Sequence, residues 1–167
     1  MTAKTDQKEF SITRTFHAPR EKVWQAWADP TQFEKWWGPV GMPATLIDPD
    51  FREGGRILYR LDGQMGTMWG LFRYLKIQRP DVIEYISSFS NEQGEITKAP
   101  FPIDFPLEVF NRITFKEANG ITTLTLESHP INATAEQEAV HAQMHESMKQ
   151  GFGGTLDQLE AFLKDQR

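Results

Sequence analysis

Apolar and polar residues alternate from the first foldable stretch of the chain. FSITRTF, residues 10 to 16, places Phe10, Ile12 and Phe16 on one side and Ser11, Thr13 and Thr15 on the other. A two-residue period of this kind predicts a first strand, and Arg14 is the one charge that interrupts its apolar face. Ala18-Pro19 stops the strand, and Pro19 suits the first turn of a helix, where a missing N–H costs nothing. In the following REKVWQAWAD, Val23, Trp24 and Trp27 fall at helical spacing, so they share an inward face and both tryptophans are expected in the core. Asp29-Pro30 ends that helix, and TQFEKWW predicts a second short one closed by Gly38-Pro39. Adjacent residues on a helix point about 100° apart, so Trp36 and Trp37 are not buried alike, and one of them is a candidate cavity wall.

Strand periodicity then takes over. Strands are predicted from Ala44 to Asp48, Arg56 to Leu61, Met68 to Ile77 and Val82 to Phe89, the last two separated by the polar turn QRPD. Gly54-Gly55 is followed by neither a helix nor a suitably placed lysine, so it reads as a tight turn rather than a phosphate cradle. Residues 91 to 106, NEQGEITKAPFPIDFP, carry Pro100, Pro102 and Pro106 beside Phe101 and Phe105. Prolines forbid regular pairing there, while two phenylalanines need dry surroundings. The segment is either an ordered loop laid over an opening or one pinned to the outer core.

A hairpin follows, with alternation up to Phe115, a two-residue turn at Asn119-Gly120 and alternation back from Thr123 to Ser128. Leu107, Val109, Ile113 and Phe115 share one face with Asn111, an amide either hydrogen-bonded in the core or turned toward a cavity. Thr134 and Gln137 form a capping box that starts a single helix running to about Lys164, on the order of 45 Å long. Strand, two helices, about six further strands and a long last helix make an α+β pattern, with helices packed on one face of a curved antiparallel sheet.

With 167 residues, of which 39% are hydrophobic, the chain suits one domain over 1–167 with a sizeable core and a polar, flexible tail at 1–8. A net charge of -5 without a basic cluster argues against nucleic acid and anionic lipid as partners. No apolar run approaches the roughly 20 residues of a membrane span, and MTAKTDQKEF lacks the apolar centre of a signal peptide, so a cytoplasmic protein is expected. The absence of cysteine removes disulfides, thiolate metal sites and cysteine nucleophiles.

The stretch VHAQMHESMKQGFGGTLDQLEAFL, residues 140 to 163, carries the most suggestive chemistry. On one helix, His141, Met148, Phe152 and Leu159 fall within about 20° of one direction and His145 within about 40°, whereas Glu146, Gln150, Asp157 and Lys164 lie opposite. The histidines therefore point toward the sheet, unless the glycines at 151, 153 and 154 kink the helix and rotate its first half. Histidines one turn apart can share a metal ion, yet HAQMH lacks the glutamate of hydrolytic zinc helices and no third ligand is identifiable. Two other readings stay open: partly exposed imidazoles satisfied by water or backbone, and pocket-facing groups that hold or protonate a ligand. No serine sits in a nucleophile elbow and no acid/base pair is marked by spacing, so no catalytic set is assigned.

FHAPREKVWQAWADPTQFEKWWGP, FREGGRI, MWGLFRYL, FPLEVFNRITF and GFGGTLDQLEAFL together resemble, in this order, the activator of heat-shock protein 90 ATPase homologue family of the START-like (SRPBCC) superfamily. The resemblance covers about residues 10 to 163 and departs from the family at Phe152, where tryptophan is expected in many relatives. It implies the helix-grip (START-like, Bet v 1-like) fold, with six to seven strands curled around the C-terminal helix and a deep apolar cavity between them. It implies no shared catalytic set, cofactor or metal. The cavity candidates are Trp36 or Trp37, Tyr59, Trp69 or Phe72, Phe101, Phe110 or Asn111, His141, Met144, His145, Met148 and Phe152. Such a lining suits a small hydrophobic or aromatic molecule. Relatives in the superfamily also act as cyclases or hydrolases, and the family name implies a chaperone partner. The sequence is equally compatible with a monomer and a homodimer.

Overall fold

The structure is a computed structural model that describes residues 9–64 and 66–165, so the tail expected at 1–8 lies outside the described residues. Its elements are β1 (Phe10–Phe16), α1 (Arg20–Ala28), α2 (Pro30–Trp36), β2 (Ala44–Ile47), β3 (Arg56–Gly63), β4 (Gly66–Gln78), β5 (Val82–Ser90), β6 (Glu108–Ala118), β7 (Ile121–Ile131), α3 (Ala135–Gln143) and α4 (His145–Asp165). The seven strands form one antiparallel sheet in the order β1-β7-β6-β5-β4-β3-β2. Strands two to seven follow the chain as a meander, and β1 returns to pair with β7. No described helix is long and apolar enough to cross a membrane.

Local chemistry sets most of the boundaries. Pro19 is the extended N-cap of α1, one residue earlier than its pattern suggested, while Pro30 opens α2 behind Asp29, whose carboxylate accepts the Thr31 N–H at 3.0 Å. Asp48 and Asn119 take positive φ angles of 46° and 55°, conformations that short polar side chains tolerate at the ends of strands and in hairpin turns. The capping box at Thr134 and Gln137 is complete, with both reciprocal bonds present.

The C-terminal helix is not continuous. It breaks at Met144, whose N–H is shared between the carbonyls of Val140 and His141, and helical bonding resumes with Met148 N–H to the Met144 carbonyl at 2.8 Å. No residue of HAQMH is a helix breaker. The break instead reconciles two packing directions, because α3 rests on β7 whereas α4 crosses to α1, α2 and β1. At Gly151, Gly153 and Gly154 the helix is not interrupted, and α4 runs through all three.

Three ties fix α4 over the concave face. Arg14, the charge that interrupts β1, donates to Asp157 at 2.8 Å and to the Gly153 carbonyl at 3.2 Å. On the other side Thr155 Oγ1 donates to the Gly38 carbonyl at 2.9 Å, and Gln158 Nε2 donates to the carbonyls of Trp36 and Gly38 at 3.0 and 2.8 Å. Thr155, Leu156, Leu159 and Leu163 are buried beneath the helix. Leu107 has the parity of the inward face of β6 but precedes the strand and is exposed.

Tyr59 on β3 lies across Gly70 of β4, its register partner. A Cβ at position 70 would come within 2.2 Å of the Tyr59 ring. The ring has little room to yield, since Trp37 and Phe72 meet it edge-on at 6.0 and 5.4 Å. Gly70→Ala should therefore destabilise the protein by about 1–3 kcal/mol in denaturant unfolding. A variant as stable as the parent would show that the Tyr59 ring is not pinned as described.

Candidate functional site

The space between the sheet and α4 is filled at one end and open at the other. At the filled end α1 and α2 insert an aromatic cluster: Trp27 packs edge-on to Trp36 at 4.8 Å, Phe33 stacks on Trp37 at 5.1 Å, and Trp37 meets Phe72 at 5.3 Å. Trp24 and Trp27 are core residues. Trp36 is fully buried with its indole N–H donated to the Ala26 carbonyl at 3.0 Å, and it borders neither of the cavities at the open end. Trp37 is the C-cap residue of α2 with extended backbone, and this change of direction turns its ring toward the open end.

Two adjoining cavities occupy that end, of about 170 and 210 Å³. Tyr59, Met148 and Phe152 border both and form the partition between them. The first cavity is completed by the β5 segment 87–89, Phe105, Pro106, Val109, Asn111 and Ser128. The second is completed by Trp37, Gly38, Pro39, Leu61, Gly151 and Thr155. Among the described residues no ionised side chain borders either one. Burial pushes the Tyr59 phenol up to about 12, so it too is neutral at physiological pH.

The remaining sequence candidates lie elsewhere. Phe72 is buried beneath the partition, stacked on Tyr85 at 4.2 Å. Trp69 has the opposite parity on β4 and sits on the outer face under the Arg60 guanidinium at 5.9 Å. Phe110 likewise faces outward against His129 at 5.2 Å, because strand alternation gives the inward position to Asn111. Phe101 is 46% exposed and touches Phe89, while its loop neighbour Phe105 reaches the first cavity. Met144 is taken up by the helix break.

His141 and His145 border neither cavity. His141 is completely buried, which removes the partly exposed reading for this residue, and its Nδ1 lies 3.2 Å from Nε2 of half-buried His145. Phe105 packs on His141 at 5.7 Å and Phe10 on His145 at 5.6 Å. Among the described residues His141 Nε2 is buried without a partner. A neutral ring that donates from Nδ1 leaves only a bare lone pair at Nε2, a smaller cost than a buried N–H with no acceptor. Among the described residues no group of three metal-ligating side chains comes together.

Ser87 and Ser128 join Asn111 at the first cavity, and neither lies in a sequence motif. Each is a polar residue in an apolar phase: Ser128 follows Leu124 and Leu126, and Ser87 follows Ile83 and Tyr85. The signal that marked Asn111 therefore marks them too.

Desolvation, with the neighbouring His145 adding to it, pushes His141 down from 6.5 to about 4. Above pH 6.5 the ring is neutral in both folded and unfolded chains, and its contribution to stability is intact. As pH falls from 6.5 toward 4 the unfolded chain takes up a proton that the folded chain refuses, so stability is lost, by up to roughly 3 kcal/mol. The fall in Tm across this window should be shallower in His141→Leu than in the parent, and equal slopes would contradict a buried neutral imidazole.

The comparisons with known proteins agree with this architecture. The family described as "Activator of Hsp90 ATPase homolog 1-like protein" matches residues 17–164. A crystal structure of a Mycobacterium smegmatis protein is 31% identical, with 95% of this chain and 91% of that one covered and a TM-score of 0.77. A solution structure of an Arthrobacter aurescens protein is 27% identical, covering 96% and 88% with a TM-score of 0.79. An AHSA1 protein from Silicibacter pomeroyi shares the fold at 15% identity, 95% and 99% coverage and a TM-score of 0.72. No curated protein matches the chain significantly. With a seven-stranded sheet gripping its C-terminal helix and a family match over nearly the whole length, the chain belongs to the Activator of Hsp90 ATPase homolog 1-like family.

Proposed function

We propose that the protein holds a small, uncharged, mainly apolar molecule between the sheet and α4. The observation that carries this reading is the pair of adjoining cavities divided only by Tyr59, Met148 and Phe152. A cavity of about 150 Å³ is enough for one benzene ring, so each space suits a ring-sized group. Methionine is unbranched and repacks at low cost, so Met148 can swing aside and let one ligand occupy both spaces. The walls are apolar with a few convergent polar groups, the usual make-up of a small-molecule site. A cyclase- or hydrolase-like activity would place an acid or base at the wall, whereas His141 and His145 lie against Phe105 and Phe10.

The neutral dye N-phenylnaphthylamine should bind with enhanced fluorescence. Met148→Trp should fill the partition region, weaken dye binding at least about tenfold and leave Tm within a few degrees of the parent. Unchanged dye affinity in a folded Met148→Trp would place the binding site elsewhere and remove the basis of this reading.

A further inference from the structure

Resting on that reading, we propose that the first cavity selects an uncharged ring bearing a hydroxyl, a phenol-class ligand, and seats that hydroxyl on Asn111, Ser87 and Ser128. These three residues sit on neighbouring strands of the concave face. Asn111 of β6 is the register partner of Ser128 on β7, and it reaches Ser87 on β5.

The amide orientation is fixed by chemistry. Asn111 Nδ2 lies 3.0 Å from the Val109 carbonyl and 3.0 Å from Ser87 Oγ. A carbonyl can only accept, so the nitrogen must occupy this position, and both of its hydrogens are spent. Asn111 Oδ1 remains as an acceptor, and among the described residues nothing donates to it. Ser87 Oγ has accepted a bond and keeps its own hydrogen to give, and the Ser128 hydroxyl makes no hydrogen bond within the described protein. The row therefore offers one acceptor and two donors side by side, complementary to a group that both donates and accepts.

Of the groups with that double capacity, a hydroxyl is the compact one, and a cavity of about 170 Å³ holds little beyond a single ring. Charge is disfavoured, because among the described residues no ionised side chain borders the site and an unpaired buried charge is expensive. Ser88 and the Tyr59 phenol also border the cavity, and the remaining wall, from Phe105, Val109, Met148 and Phe152, is apolar and suits the ring.

Three single-ring probes separate the possibilities in protein-observed chemical-shift titrations: phenol, toluene and benzoate. Phenol should bind about tenfold or more tighter than toluene, since toluene leaves the row unpaired, and benzoate should bind weakest. Asn111→Leu should abolish the preference for phenol while keeping toluene binding. Ser128→Ala, the milder change, should weaken phenol about fivefold and leave toluene unaltered. Toluene binding as tightly as phenol to the parent, benzoate binding tightest, or a phenol preference as large in Ser128→Ala as in the parent would each overturn the inference. If N-phenylnaphthylamine binds while phenol shows no advantage, this inference alone falls; if neither the dye nor any ring probe binds, the cavity reading falls with it.

Discussion

One packing constraint governs the molecule: a strongly curved sheet and a single helix do not fill the space between them. α1 and α2 solve the problem at one end by inserting tryptophan and phenylalanine rings, large apolar bodies that fill volume with few degrees of freedom. At the other end the filling stops. Gly151 borders the second cavity and, among the described residues, meets nothing within 4 Å of where a side chain would begin, and Met148 and Phe152 only partition the remaining space. The same helix that closes the core at Leu156, Leu159 and Leu163 thus leaves it open two turns earlier.

Keeping such a space open requires a frame that does not collapse. The ties to α4 come from both sides, through Arg14 to Asp157 and Gly153 and through Thr155 and Gln158 to the end of α2. Tyr59 is held flat against Gly70 by the glycine's missing side chain. These contacts hold sheet and helix at a set separation, so that filling the gap does not require the protein to be reorganised around its ligand.

Much of this was legible in the sequence. Period-two alternation located the strands, the Asn-Gly hairpin and the capping box appear where their chemistry placed them, and the motif order pointed to the family. Helical phase put His141 inside, but phase alone gives direction and not depth, and it could not show that Phe105 and Phe10 stand against the imidazoles. Strand parity would have separated Asn111 from Phe110 and Phe72 from Trp69, because adjacent residues of a strand face opposite sides. The break at Met144 carries no local signal, since it arises from two packing directions that only the folded chain brings into conflict. Ser87 and Ser128 were visible as polar residues in apolar phases, yet their meeting with Asn111 depends on the register of three strands.

The central claim is that the unfilled space beside Tyr59, Met148 and Phe152 is where a ligand resides. A crystal structure grown with saturating N-phenylnaphthylamine tests it most directly. The account predicts ring density between the concave sheet and α4, with the Met148 side chain displaced from the partition. Dye density confined to the outer face of the sheet, with both cavities unchanged, would contradict it.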